Sequence, residues 1–380
     1  MSSHKSNKCQ LKNGLSYDSS QKTYPFTIVT GASSDHYCTL QSWLYHTSLA
    51  LSPIPEIHRP RIIIYDLGLV NFQRNALTYL HQKNYFTHYK LFNFLKYPSF
   101  WNISISKGEF AWKPAIIAET FREFPGIVLW LDSGTFVSTD FLMNVERLVN
   151  AYDGFFSPKS NGNLLKWTHP GVFKYFNDST KKTKYENSSN CNAATLLFDT
   201  SRISHIIEEW ENCAYIKECI APNGSNRTNH RQDQSVLSYL MINNNRNCDN
   251  DAKQFGIRTH MDKYCAQMIW EYEENYGEFW SPNAQDLKEI KELIENFPEL
   301  IIYDIWTKSG KDAILEKIKK SGNYSLKLGD VFRKEVETKN KNNKENNKEN
   351  NKENNKENNK ENNKENKKNK KVYLKNDLKL

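Results

Sequence analysis

Nowhere in its 380 residues does the chain string together the roughly 18 to 20 apolar residues a membrane helix needs. Its opening Met1-Ser2-Ser3-His4-Lys5-Ser6-Asn7-Lys8 has no signal-peptide core. A chain without a membrane span, soluble as written, is the expectation. Cysteines at the C-x-x-C spacing of zinc ribbons and thiol redox motifs are also missing. The seven present (Cys9, Cys38, Cys191, Cys213, Cys219, Cys248, Cys265) are scattered, and their odd number leaves at least one thiol unpaired. A basic surface is lacking too, once the charge is located. The formal net charge is +8, but residues 340 to 380 hold 13 Lys against 7 acids, and residues 1 to 339 hold 39 Lys or Arg against 37 acids. A body so near neutrality lacks the footprint of a nucleic-acid binder, so no nucleic acid is expected as a partner.

What is present is an alternation of apolar strands and amphipathic helices. After a polar arm over residues 1 to 22, Tyr24-Pro25-Phe26-Thr27-Ile28-Val29 reads as a strand that breaks into the small-residue loop Thr30-Gly31-Ala32-Ser33-Ser34-Asp35. Leu40, Trp43, Leu44, Thr47 and Leu51 then recur at helical spacing, with Ser34 or Asp35 placed to cap. Arg61 to Gly68 repeats the theme, an apolar strand ending on Asp66, followed by a helix through Ala76, Leu77 and Leu80. A third strand is read over Tyr85 to Phe94, and Trp112-Lys113-Pro114 opens a helix with proline in its first turn, where no N–H is needed. Asp140 is placed to cap a helix with Phe141, Val145, Leu148 and Val149. Gly154 to Asn190 is loop-rich, a length that implies function or disorder, and its aromatic patch Trp167 to Phe173 argues for function. Cys191 to Thr200 is another apolar strand, ending on Asp199, the cap of the next helix. His230-Arg231-Gln232-Asp233-Gln234 opens a helix marked by Val236, Leu237, Leu240 and Met241. A further helix follows through Leu287 and Ile290, and a strand is expected at Leu300 to Ile305. From Asn342 to Glu365 the unit Asn-Asn-Lys-Glu repeats six times with no apolar residue, a composition that cannot offset chain entropy and is expected to be disordered. The expected organisation is an arm over 1–22, one large α/β domain over 23–330 with a mostly parallel sheet flanked by helices, and a low-complexity tail over 331–380.

The stretch Phe124-Pro125-Gly126-Ile127-Val128-Leu129-Trp130-Leu131-Asp132-Ser133-Gly134 organises the rest. A Pro-Gly turn feeds five apolar residues, the signature of a strand covered on both faces, and the run stops at a carboxylate. Open α/β sheets bind ligands outside the carboxyl ends of their strands, which places Asp132 at a ligand rather than in a core. A strand-end aspartate that only caps a turn is the plain alternative.

Taken in order, the Thr30 to Asp35 loop, Trp112-Lys113-Pro114, Trp130-Leu131-Asp132-Ser133, Asn192-Ala193-Ala194 and His230-Arg231-x-Asp233-Gln234 resemble the nucleotide-sugar-dependent glycosyltransferases of the GT-A type, over about residues 24 to 245. The resemblance implies a GT-A-like, Rossmann-like fold and transfer of a sugar from a nucleoside diphosphate donor to a glycan or protein acceptor. It implies that Thr30, Gly31, Ala32 and Asp66 hold the nucleoside, Lys113 beside Trp112 approaches the diphosphate, and Asp132 with Ser133 stands at the family's Asp-x-Asp position. It further implies that Asp233 and Gln234 face the sugar and acceptor, Asp233 being the base for an inverting reaction, and that Asn192, His230 and Arg231 are among the substrate-binding residues, and it points to the secretory pathway. A departing diphosphate needs a divalent cation or fixed cations beside it. Yet Asp132 has Trp130 two before and Gly134 two after, so one acid of the pair remains. Mn²⁺ or Mg²⁺ held by Asp132 with phosphates and water is one reading, and compensation by Lys113 and Arg231 is the other. Six Asn-x-Ser/Thr sequons begin at Asn102, Asn177, Asn187, Asn223, Asn226 and Asn323.

Other readings stand beside these. Lys113 is a solvated helix-start lysine, His230 a structural histidine, Trp112 and Trp130 core aromatics, and Asp233 a carboxylate favouring a helix dipole. A non-catalytic GT-A-like protein that binds a sugar or partner is the alternative for the whole chain. Leu131-Asp132-Ser133-Gly134-Thr135 also matches the aspartic-protease signature, but the second copy such enzymes need, at Phe198-Asp199-Thr200-Ser201, lacks the glycine.

Overall fold

The computed structural model describes residues 23–178, 182–277, 280 and 282–296; the N-terminal arm, the strand expected at Leu300 to Ile305 and the tail from residue 331 lie outside them. The elements run β1 (Thr27–Ala32), α1 (Tyr37–Leu51), β2 (Arg61–Asp66), α2 (Asn71–Gln82), β3 (His88–Leu91), α3 (Trp112–Glu123), β4 (Ile127–Leu131), β5 (Phe136–Val137), α4 (Thr139–Met143) and α5 (Val145–Ala151). They continue with β6 (Phe155–Phe156), β7 (Lys159–Asn163), α6 (Leu164–Trp167), α7 (Pro170–Tyr175), α8 (Lys182–Glu186), β8 (Ser189–Cys191), β9 (Thr195–Asp199) and α9 (Thr200–Ala214). Last come α10 (Lys217–Ile220), α11 (Gln232–Asn243), β10 (Ile257–Arg258), α12 (Cys265–Tyr276) and α13 (Ala284–Asn296).

The central sheet has six strands in the order β3-β2-β1-β4-β9-β6. β3, β2, β1 and β4 are parallel, whereas β9 runs antiparallel to both β4 and β6. This is a mostly parallel, helix-flanked α/β sheet, as the alternation of strands and helices implies. The expected mostly parallel sheet is what forms, and its one reversed strand, β9, has a local consequence. Because β9 is reversed, its start rather than its end lies beside the carboxyl edge of β4, with Leu131 opposite Thr195 and Ile127 opposite Asp199. Asp199 therefore sits at the far end of the sheet from Asp132, capping α9 through Ser201 N–H. Asp132 and Asp199 thus form no pair of the protease kind.

The apolar runs are explained by the strand period of two. Ile28, Ile62, Ile64, Leu129, Leu131 and Leu197 point into one core, under α1, α2, α4, α5 and α12. Val29, Ile63, Tyr65, Val128, Trp130, Leu196 and Phe198 point into the other, under α3, α9 and α11. Where both faces are covered, in β1, β2, β4 and β9, no interior strand position carries a charge, whereas the edge strand β3 holds Lys90. Burial of each of these apolar side chains is worth roughly 2 kcal/mol.

Several local expectations shift. The third strand shortens to His88–Leu91 at the sheet edge. Ser138, not Asp140, caps α4, through Phe141 N–H. Neither Ser34 nor Asp35 caps α1; both lie in a short 3₁₀ turn before it. Six cysteines pair as Cys38–Cys265, Cys191–Cys248 and Cys213–Cys219; Cys9 is outside the described residues. No helix among the described residues is long and apolar enough to cross a membrane.

Candidate active site

The strand period fixes the direction of Asp132. Val128, Trp130 and residue 132 share a face, the one covered by α3, so Asp132 is delivered to the first turn of that helix. There Lys113 Nζ lies 2.9 Å from Asp132 Oδ1, 3.3 Å from Asp233 Oδ2 and 3.1 Å from the Ala193 carbonyl to which it donates. Trp130 Nε1 donates to the same Asp132 Oδ1 at 2.7 Å, and its ring lies 5.2 Å beneath the ammonium. Lys113 is thus a buried tie between the end of β4, the turn before β9 and the first turn of α11. The side-chain exposures are 5% for Lys113, 7% for Asp233 and 42% for Asp132. Burial pulls the Lys113 pKa down, but its two carboxylates more than reverse that and hold it above its ordinary range. Asp233 rises, chiefly by burial, with Lys113 opposing and the Asp132 charge adding. A lysine at a helix start opposes the dipole, and the carboxylates offset it. The solvated-lysine reading is corrected by this burial.

Asp132 opens onto a cavity of about 330 Å³ at the carboxyl edge of β1 and β4. Of the residues expected at a site, Gly31, Ala32, Trp112, Lys113, Asp132 and Ser133 line it. The others lie elsewhere. Thr30 is fully buried beneath the loop. Asp66 is fully buried and spent on its own turn, accepting from Gly68 N (2.7 Å), Leu69 N (2.6 Å), Arg74 Nε (2.7 Å) and Tyr89 Oη. A strand-end carboxylate satisfied this completely has nothing left for a nucleoside. Asn192 closes an Asx turn onto Ala194 N, and Ala194 O in turn accepts Asp132 N–H. His230 is buried, joined to Ile220 O at 2.9 Å and accepting from His169 N at 3.3 Å, and burial lowers its pKa to about 4; it is a structural group. Arg231 stacks 4.0 Å over Trp167. Gln234 takes part through its backbone, accepting Ser238 Oγ. Asp233 stands behind Lys113 rather than facing the cavity.

The opposite wall was not legible in the sequence. Lys107, Phe110, Arg227, Thr259, His260 and Asp262 line the cavity from three separate loops. Ser106, Lys107, Gly108, Glu109 and Phe110 all have φ between 47° and 62°, a left-handed turn of mostly non-glycine residues. Such strain costs about 1 kcal/mol or more per residue and gathers at functional sites. At its centre Gly108 is required, since a Cβ there would stand 2.2 Å from Trp101 O. Lys107 Nζ reaches Asp35 Oδ2 at 2.6 Å. Burial opposes the Asp35 charge, but His36, Lys107 and Ser33 hold its carboxyl well below the usual range.

Asp262 bears on the missing second carboxylate. A Cβ built on Gly134, the position two beyond Asp132, would stand 3.3 Å from Asp262 Oδ1. The space into which a side chain at 134 would grow is occupied by an acid from another segment, which Met261 N–H ties to Gly134 O at 2.9 Å. Among the described residues no three His, Cys, Asp or Glu groups are gathered as metal ligands. Two carboxylates completed by phosphate and water fit Mg²⁺ or Mn²⁺ chemistry, so Asp132 and Asp262 are the residues that would hold such a cation.

No protein-family model and no curated protein sequence matches the chain. Among solved structures it is similar to the galactosyltransferase LgtC in complex with donor and acceptor sugar analogs, at 15% identity over 56% of this chain and 69% of that one, TM-score 0.34. It is also similar to the bifunctional glycosyltransferase WbbM, at 13% over 58% and 37%, TM-score 0.36, and to mouse xyloside xylosyltransferase 1, at 11% over 58% and 82%, TM-score 0.38.

Proposed function

We propose that the chain is a glycosyltransferase that takes a nucleoside diphosphate sugar in the cavity beside Asp132 and moves the sugar to a hydroxyl-bearing acceptor. The observation that carries this reading is a half-exposed carboxylate, delivered by a fully covered central strand, facing Lys107 and Arg227 across a cavity of about 330 Å³. Transfer forms a bond from the acceptor oxygen to the anomeric carbon and breaks the bond from that carbon to the diphosphate, which leaves with added negative charge. Lys107 and Arg227 meet that charge, and a divalent cation, when bound, shares it. The acceptor proton passes to a carboxylate of the cavity, Asp132 or Asp262. Lys113 keeps Asp132 aimed, and Asp233 helps to keep Lys113 charged, which makes both positioning residues. Three disulfides suit an oxidising compartment, in keeping with a secretory location.

The second reading, a sugar- or partner-binding protein of this fold without activity, is favoured by one observation: Asp132 Oδ1 is already taken by Lys113 and Trp130. Thermal stabilisation by a panel of UDP- and GDP-sugars, with and without Mn²⁺, followed by assay of nucleotide release, separates the two. Stabilisation with slow release, both lost in Asp132→Ala, is the result expected of the enzyme; stabilisation without release supports the binding protein; no stabilisation by any donor overturns the donor site.

A further inference from the structure

A second cavity, of about 780 Å³, is not used by the donor site. Lys166, Thr168, Phe173, Lys174, Tyr185 and Asn229 help to line it. We propose that it binds a sugar unit of a glycan acceptor, away from the hydroxyl that reacts; calling the glycan an acceptor rests on the transferase reading above, while sugar binding itself does not.

Three observations carry this. The lining is amphipathic in the manner of a sugar site: Phe173 is half-buried and stacks on Tyr185 at 5.1 Å, offering an apolar face, while the Asn229 and Asn177 amides and two lysine ammoniums stand around it. The wall is rigid, because Asp178 accepts the hydroxyls of Tyr185 and Tyr239, and Tyr185 also reaches Asn243 at 3.0 Å. Finally, Thr168 is 3% exposed and its hydroxyl has no partner among the described residues. That hydroxyl is shut off from solvent as it stands, and a turn of Thr168 about its Cα–Cβ bond would present it to a sugar hydroxyl in the cavity; lacking a partner, it loses no hydrogen bond by turning.

The two cavities share a wall. Arg227 lines the first and Asn229 the second, and two residues of chain span at most about 7 Å. The loop carrying Thr168 is also pinned to the first turn of α11: Trp167 O accepts Arg231 N at 3.2 Å and the Ser235 hydroxyl, and His169 N donates to His230 Nδ1. That same turn presents Asp233 to Lys113. A glycan seated here therefore lies against the segment that braces the donor site.

The test uses the full chain, treated with endoglycosidase because Asn177 at the rim begins a sequon. Lactose, cellobiose and N,N′-diacetylchitobiose are titrated by saturation-transfer NMR. Millimolar binding by at least one is expected, weakened roughly tenfold in Phe173→Ala. Thr168→Val should weaken it roughly fivefold or more while leaving the melting temperature unchanged or raised, since its hydroxyl has no partner to lose. Should Phe173→Ala fail to fold, Lys174→Trp fills the mouth from an exposed helix position. No binding by any disaccharide, or binding indifferent to all the variants that fold, overturns the proposal. UDP and GDP are titrated in parallel: disaccharide binding without nucleotide binding removes the donor site and leaves this one, and the reverse removes this one alone.

Discussion

The two walls of the cavity are built by different means. The inner wall, Asp132 and Lys113 braced from behind by Asp233 and Ala193, is delivered by the end of β4, the start of α3, the turn before β9 and the first turn of α11. Each of those positions is fixed by a core that the neighbouring residues bury. The outer wall, Lys107, Arg227, His260 and Asp262, hangs on loops rather than on strands of the sheet: a strained left-handed turn whose Lys107 O accepts Trp112 Nε1, a segment with a backbone bond to Gly134, and the disulfide from Cys265 at the start of α12 to Cys38 in α1. By chain-entropy arithmetic that long-range disulfide is worth about 5 kcal/mol. The inner wall is where stability and site coincide, whereas the outer wall carries charge that the fold does not need.

The sharpest way to break that contrast is Lys113→Met. It leaves Asp233 buried without a counter-charge, and breaking a buried pair from one side costs about 3 to 5 kcal/mol. Chemical denaturation should show that loss, and adding Asp233→Asn to the same chain should return much of it. A loss under about 1 kcal/mol would mean the inner wall is not structural. Acid tests the same wall from behind. His230 has its pKa lowered to about 4 by burial, against about 6.5 in an unfolded chain. Its contribution is fully present above pH 6.5, and is lost as the pH falls toward 4, because the unfolded state binds the proton first. About 3 kcal/mol goes across that window. Melting temperatures between pH 7 and pH 4 should follow this slope, and His230→Gln, which keeps a donor and an acceptor, should flatten it.

The same contrast explains what could be read in advance. The apolar run Ile127 to Leu131 announces a doubly covered strand, and a period of two carries Asp132 to the α3 side without further information. Asp66 has an identical signature and a different fate, since whether a strand-end carboxylate is spent on its own turn depends on Arg74 and Tyr89, which reach it from eight and 23 residues away. His230 and Asp233 are marked by their place at a helix start; their burial is not, because α11 is buried on nearly every side, Ser235 and Ser238 included, rather than along one apolar stripe. Lys107, Arg227 and Asp262 left no periodic signal at all. For Asp262 one clue existed in principle, the glycine at position 134 where a second acid is expected, but nothing local says which distant segment fills the space.

Asp132→Asn should separate the two walls more finely. At 42% exposure, losing its charge should cost stability only about 1 kcal/mol, while stabilisation by any nucleoside diphosphate sugar should disappear. Should stabilisation survive in Asp132→Asn and vanish in Asp262→Asn, the acid from the outer wall is the one that meets the donor.

The smallest expected effect on the fold belongs to Lys107→Ala and Arg227→Ala. Both side chains are exposed, and such substitutions move stability by about 0.5 kcal/mol or less. Lys107 gives up its ion pair with Asp35, a surface contact worth little; Arg227 gives up its stacking over Phe110 at 5.4 Å. If these cations hold the leaving diphosphate, each variant should weaken UDP binding by roughly tenfold, and the wild-type affinity should fall with added salt more steeply than that of either variant, because screening removes what the substitution has already removed. Affinity and salt slope unchanged in both variants would leave the diphosphate to the inner wall and its bound cation, and the outer loops would then serve only to close the cavity.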